Sequence, residues 1–589
     1  MTIAIDTSFV PADLDATDFA NVEPYVKKLL AREPSTGAEL ERWLIDRGEL
    51  EASCSEAKAN LYIAMTCDTE DSQAQAAYAK YVGEVQPKLT PAFFELDRKY
   101  VELSKRVKDL PRRYDVADRT IRTDVELYRE ENVALETDLA RLSQRYDTVV
   151  GAMTVEFEGK EQPLPMMARY QEFTDRAVRE AAWRATNERR FRDVADIESI
   201  YDEMISLRHK IATNAGCKNY VDYAFRAMHR FDYTPADCER FHKGVEQAVV
   251  PLVREVEKKR AKSLGVDRLR PWDLAVDVKG RAPLKPFTGG EDLMRKSVAA
   301  CKRLDPRLGA MLDVLGDGKN DQGPKGGACL DLDSRKGKAP GGYQYMRDRT
   351  QRPFIFMNSA GMQKDVETMV HEAGHAFHSM LCREEPLLSY RHSPIEFAEV
   401  ASMSMELLTM PHWGRSGPRG ADGAPVFFEN QEDFERACRD NIQSSVTLLP
   451  WIATIDAFQH FVYANPSHSH DDRKAAWLGL DARFGGIADW SGIEKFKPYL
   501  WQRQLHLFGH PLYYIEYGIA QLGALELWLI SLERGEREAV DLYIKALSLG
   551  GSKPLPELFA AAGLNFDFGP DALKRLSDRV AKELDKLPE

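Results

Sequence analysis

The stretch Val366-Glu367-Thr368-Met369-Val370-His371-Glu372-Ala373-Gly374-His375-Ala376-Phe377-His378 decides the reading of this chain. Val366, Met369, Val370, Ala373, Ala376, Phe377 and Met380 recur with helical period, so the segment reads as a helix with a broad apolar face. It carries HExxH. On a helix, positions i and i+4 share a face about 6 Å apart along the axis, so His371 and His375 can ligate one zinc ion. Glu372 is turned about 100° from His371, which aims its carboxylate at a metal-held water rather than at the metal. Zinc lowers the pKa of that water and a carboxylate can take its proton as it attacks a carbonyl. Gly374 inside the helix costs about 1 kcal/mol relative to alanine. Either another element approaches closely there, or the glycine is neutral drift.

A catalytic zinc needs a third protein ligand and one open position. The following segment, Ser393-Pro394-Ile395-Glu396-Phe397-Ala398-Glu399-Val400-Ala401-Ser402-Met403-Ser404-Met405-Glu406, reads as a helix with Ser393 at the N-cap and Pro394 at the first helical position. Glu399 and Glu406 are seven apart and share a face. Two aligned glutamates on an apolar helix predict Glu399 as the ligand and Glu406 as the group that orients an imidazole. His378 shares the face of His371 and His375. It lies about 10.5 Å along the axis from His371, too far for both to bind with His375 between them, and is read as structural or as a support to the ligands. A second cluster, His506-Leu507-Phe508-Gly509-His510-Pro511-Leu512-Tyr513-Tyr514-Ile515-Glu516-Tyr517, packs histidines and tyrosines densely. Its NH and OH groups suit a tetrahedral oxyanion; an aromatic core helix with polar tips is the alternative.

Outward from these segments the chain reads as mainly helical. Phe93 to Val107, 125–146 and about 292–315 carry helical periodicity, and Asp232 to Asp237 is a helix start. Met153 to Leu164 reads as a short hairpin. Residues 328–333 and 353–358 read as strands just before the HExxH helix; 316–327 and 414–425 read as loops. The 589 residues are 43% hydrophobic and 29% charged, which excludes disorder as the dominant state. The net charge of −13 excludes a general nucleic-acid binder and an anionic-membrane binder. The first residues show no basic segment followed by an apolar run, and the apolar stretch 519–532 is interrupted by Gln521 and Glu526, so neither a secretory leader nor a membrane span is expected. Eight cysteines, none closer than 13 residues, predict reduced thiols and a cytoplasmic location.

Taken together, GKAPGGYQY (337–345), PFIFMN (353–358), DVETMVHEAGHAFH (365–378), FAEVASMSMELL (397–408) and HLFGHPLYYIEYGIAQLGAL (506–525) resemble the thimet oligopeptidase and oligoendopeptidase F family of zinc metallopeptidases, its oligoendopeptidase F and Pz-peptidase branch in particular. Weaker likeness extends over roughly 150–580. The resemblance implies a mainly α, two-lobed helical zincin-type fold, with a small β-sheet beside the HExxH helix and a deep substrate channel. It implies one Zn²⁺ per chain held by His371, His375 and Glu399, with Glu372 as general base. It further implies that His506, Tyr514 and Tyr517 face the substrate carbonyl, that Gly341, Gly342 and Tyr343 pair with substrate backbone, and that His510 touches substrate. The expected activity is endopeptidase cleavage of short oligopeptides. A carboxypeptidase or dipeptidyl peptidase of similar build, or a non-catalytic peptide-binding protein, are the rivals. Length alone suggests about four domains; the spread of these segments favours instead an N-terminal helical lobe (1–200) and a catalytic domain (201–589).

Overall fold

The computed structural model describes residues 9–319, 329–415 and 423–588. Most of these are helical, with one two-stranded and one three-stranded sheet. Parts of the loops expected at 316–327 and 414–425, and the start of the strand expected at 328–333, lie outside the described residues. The chain forms two compact units, each built from three stretches. One comprises Met1–Val125, Leu284–Asn441 and Gly523–Phe566; the other comprises Glu126–Pro283, Ile442–Leu522 and Asp567–Glu589.

In the first unit the long helix Gly37–Cys67 starts at a reciprocal cap, in which the Thr36 side chain accepts from Glu39 N–H while the Glu39 carboxylate accepts from Thr36 N–H. It packs with Phe19–Leu30 and Gln86–Arg106 around Leu29, Leu40, Trp43, Leu96, Tyr100 and Leu103. Trp43 is fully buried, and its indole N–H donates to Leu29 O at 3.0 Å. The three-stranded sheet has Arg352–Ser359 at its centre, parallel to Leu330–Asp333 and antiparallel to Tyr343–Arg347. The central strand buries Phe354, Ile355, Phe356 and Met357 consecutively, as a strand covered on both faces does. It leads through a three-residue turn into the HExxH helix, Gln363–Leu381.

Three expected elements differ. The helix read at 292–315 is two, Gly289–Leu304 and Pro306–Asp313. Asp305 is extended ahead of Pro306, as a residue before proline must be, and its carboxylate caps the second helix through Arg307 N–H at 2.8 Å. In the same unit the helix bearing Glu399 is Ile395–Leu408: Pro394 takes the cap position, and Ser393 does not cap it. The helix read at 125–146 is likewise two, Asp115–Leu127, which belongs to the first unit up to Val125, and Glu130–Gly151 in the second. Arg129 makes the break, its guanidinium donating to the carbonyls of Glu126, Tyr128 and Asn214.

The second unit also holds the expected hairpin, Thr154–Phe157 paired antiparallel with Lys160–Pro163. Glu158 and Gly159 both take positive φ at its turn, the conformation a two-residue hairpin loop favours. Helix Pro235–Gly244 starts as read, with Thr234 and Asp237 forming a reciprocal cap and Pro235 at the first helical position. Among the described residues one helix, Tyr514–Arg534, is long and apolar enough to cross a membrane, but 78% of its apolar window is buried in the protein, as in a core helix.

Candidate metal centre

The HExxH helix and Ile395–Leu408 pack against each other backbone to backbone. A Cβ on Gly374 would stand 2.5 Å from Ala401 O and 2.6 Å from Ser402 Cα, so only glycine permits this approach. Ala401 O accepts a 2.9 Å hydrogen bond from the buried Tyr543 hydroxyl, which fixes the same turn from its other side. Beside this contact, His371 Nε2 lies 3.3 Å and His375 Nε2 3.6 Å from Glu399 Oε2. The three donor atoms lie within 4.8 Å of one another.

The surroundings of the trio are built to hold it. His371 Nδ1 lies 2.6 Å from Glu406 Oε1, and Asn441 Nδ2 donates to Glu406 O at 2.9 Å. The Ser402 hydroxyl donates to Glu399 Oε2 at 2.8 Å. Burial opposes a charge on His371, but Glu399 and Glu406 outweigh it and hold the imidazolium well above its ordinary range. Burial, and then the charge on His371, push His375 down to about 4, leaving it neutral. Burial alone would raise Glu399, yet the hydrogen bond with His371, the charge on that ring and the Ser402 hydroxyl bring it down to about 2. Two neutral imidazoles and one carboxylate, with a carboxylate behind one imidazole, are the donor set of a zinc site with an open position, and these residues fit that ion.

Glu372 is buried beside the trio. Burial, reinforced by Glu399 and Glu406, pushes its carboxyl up to about 7; His371 and the Gln344 backbone N–H pull the other way. Gln344 lies on the edge strand Tyr343–Arg347. The Gly341-Gly342 turn before that strand is pinned by the Asn358 side chain, which donates to Ala339 O at 2.7 Å and Gly341 O at 2.8 Å; Gly341 takes a φ of 98°. Tyr343 stacks on Phe356 and its hydroxyl lies 2.6 Å from Thr66 Oγ1, so its ring faces the sheet and its backbone is what the edge offers. His378 points away from the trio: Nε2 lies 2.9 Å from the Ser393 hydroxyl, and burial pushes it down to about 3. That bond is the use Ser393 finds in place of a helix cap.

The second cluster lies in the other unit. His506 has Tyr514 and Tyr517 at ring-centroid distances of 5.0 and 6.0 Å, and His510, which is exposed, at 6.3 Å. Trp451 Nε1 donates to Gln504 Oε1 at 3.0 Å, which turns the Gln504 amide nitrogen toward His506 Nδ1 at 2.7 Å. Burial, and then His510, push His506 down to about 4. It is therefore neutral with its proton on Nε2, a hydrogen-bond donor. Just before the tyrosine helix, Leu512 takes a φ of 63°, with its N–H held by Gln459 at 2.6 Å and its carbonyl by Arg230 at 2.6 Å. Gln504, Trp451, Gln459, Arg230, Ser402 and Asn441 carry no motif of their own; Ser402, three residues after Glu399, and Gln504, two before His506, lay close enough to be found by spacing.

The fold and the trio define a mainly helical protein with a helix-borne HExxH and a carboxylate from the next helix. Residues 169–577 match Peptidase family M3, and the chain belongs to that family. It is 24% identical over 357 residues to Oligopeptidase PepF of Bacillus subtilis (strain 168), covering 58% of this chain and 47% of that protein. It is 23% identical over 441 residues to the plasmid oligoendopeptidase F of Lactococcus lactis subsp. cremoris, covering 71% of this chain and 65% of that protein. The matched stretches thus span 47% and 65% of these curated relatives, less than two thirds of each. The solved structure of Pz peptidase A with an inhibitor superposes with a TM-score of 0.84 at 25% identity, over 99% of each chain.

Proposed function

We propose that the chain is a cytoplasmic zinc-dependent endopeptidase that hydrolyses internal bonds of short oligopeptides. The observation that carries this reading is the placement of buried Glu372 beside the donors His371, His375 and Glu399, in a chain of Peptidase family M3. His371, His375 and Glu399 hold one ion. When bound, it supplies Lewis acidity for the attack of water on a carbonyl. Glu406 orients the His371 ring through Nδ1. Glu372, in a site that raises its basicity, takes a proton from the attacking water and delivers it to the leaving amine. The neutral His506, with Nε2–H free to donate, and the hydroxyls of Tyr514 and Tyr517 have the chemistry to stabilise the oxyanion. The edge strand after Gly341 and Gly342 offers backbone groups with which an extended peptide pairs, and His510 adds a contact at an exposed position. Eight free, buried cysteines suit a reducing compartment.

The test is an internally quenched peptide with both ends blocked. Wild type should cleave it at an internal bond, and Glu372→Gln should keep its zinc and lose the turnover. Cleavage by Glu372→Gln at the wild-type rate would sink the mechanism; a requirement for a free terminus would point to an exopeptidase.

A further inference from the structure

A second set of metal-ligand side chains lies in the other unit, apart from the HExxH trio. Cys238 and His242 are four residues apart on helix Pro235–Gly244; Asp456 and His460 are four residues apart on helix Gln431–Ala464. Each pair therefore shares one helical face, by the same spacing that HExxH uses. Donor atoms of Cys238, Asp456 and His460 lie within 4.8 Å of one another, the bound that also describes the His371, His375 and Glu399 trio. A filled tetrahedral zinc site has donor separations of about 3.3 to 3.8 Å, so small side-chain rotations close the set. His242 Nε2 lies 2.8 Å from Asp456 Oδ2, the support from behind that Glu406 gives His371.

Charge and hydrogen bonding point the same way. Asp456 and Cys238 are fully buried. Among the described residues, Asp456 Oδ1 and His460 Nε2 are buried with no hydrogen-bond partner. His460 Nε2 does face Asp456 Oδ2 at 3.5 Å, too long for a good hydrogen bond, and a buried carboxylate oxygen and a buried imidazole nitrogen without hydrogen bonds are costly unless something further satisfies them. The nearby Arg230 donates through its guanidinium to Glu516 at 2.7 Å and Leu512 O at 2.6 Å, and its charge also reaches Cys238, Asp456 and His460, so it supplies part of the positive field here without a hydrogen bond to Asp456 Oδ1. A different grouping, Glu198, Asp202 and His470, shows the contrast: there Arg473 bonds both carboxylates and takes the place of a cation.

We infer that Cys238, Asp456 and His460 form a second, buried site for a divalent transition ion of the zinc class, with His242 holding the Asp456 carboxylate. The mixed sulfur, nitrogen and oxygen donors suit zinc better than calcium or magnesium, which take oxygen alone. Binding releases the thiol proton of Cys238 to solvent and leaves the ion facing one thiolate and one carboxylate.

Cobalt substitution tests this on the full-length protein, because the HExxH trio contains no sulfur. Co²⁺ added to the thiol-reduced, chelator-treated protein should produce thiolate-to-cobalt charge-transfer absorption that saturates within two equivalents, and at one equivalent in the His371→Ala/His375→Ala variant. The band should persist in the His371→Ala/His375→Ala variant and vanish in Cys238→Ala and in His460→Ala. Zinc analysis should read two ions per wild-type chain and one in each of those variants. If a variant does not fold, the wild-type spectrum still decides, together with zinc-edge X-ray absorption showing one sulfur at about 2.3 Å. Wild type with no charge-transfer band and no sulfur in the zinc shell overturns the inference and leaves a buried His–Asp hydrogen bond. A band with only one zinc bound upholds this site and removes zinc from the HExxH trio instead.

Discussion

His371 Nδ1 and Glu406 Oε1 stand 2.6 Å apart, on two helices whose backbones touch at Gly374. The carboxylate fixes which nitrogen of the ring faces Glu399. Glu406→Ala should therefore weaken metal affinity by about 10- to 100-fold while leaving the helical signal intact. Competition for zinc against a chelator of known affinity measures it.

Glu372→Gln removes the base and keeps the shape. Loss of a positioned general base should lower kcat by about 10²- to 10⁴-fold, with zinc content unchanged. Steady-state kinetics alongside elemental analysis check both halves.

Gly374→Ala places a Cβ against Ala401 O and Ser402 Cα, and backbone cannot step aside as a side-chain tip can. The intrinsic gain in helix propensity is about 1 kcal/mol, smaller than the overpacking cost of up to about 3 kcal/mol, so the variant should be less stable. Urea unfolding with and without zinc should show the loss in both series.

His378 is a buried base whose ionisation the fold suppresses, down to about 3. Between that value and 6.5 the unfolded chain binds the proton and the folded chain does not, so this residue makes stability fall as pH falls through that window. His378→Gln, which can keep a bond to Ser393, should flatten the acid side of the stability profile by about 2 kcal/mol between pH 7 and pH 5. Paired denaturant titrations at the two pH values measure the difference.

Gln504 sets the proton on His506. Gln504→Glu offers Nδ1 an acceptor in place of the amide donor and moves the imidazole proton to that side, so Nε2 loses its role as donor. The variant should lose at least about tenfold in kcat with KM little changed. Imidazole nitrogen NMR shifts report the tautomer independently of turnover.

What the sequence disclosed depended on distance along the chain. The three-donor geometry was legible because His371 to His375 and Glu399 to Glu406 are helical repeats, and local periodicity survives folding. The hairpin at 154–163 was legible for the same reason. Ser393 shows the limit: serine before proline and a helix reads as a cap, but a buried imidazole across the turn competed for its hydroxyl and won. Trp451 to Gln504 spans 53 residues and Arg230 to Glu516 spans 286, so no local pattern announces either. The Cys238 and His460 pairing stayed hidden although both spacings are printed in the chain, because only the fold brings the two helices face to face.

The contact at Gly374 bears on how an ion would be exchanged at the trio. Main chain rests on main chain there, and Tyr543 anchors the same carbonyl. None of that depends on a bound cation. The pocket should therefore keep its shape when emptied, so that the entropy of arranging the donors is lost at folding and not at each loading. Chelation should be quickly reversible, and a foreign ion should be received in a geometry set in advance by the scaffold, with the metal adapting to the protein.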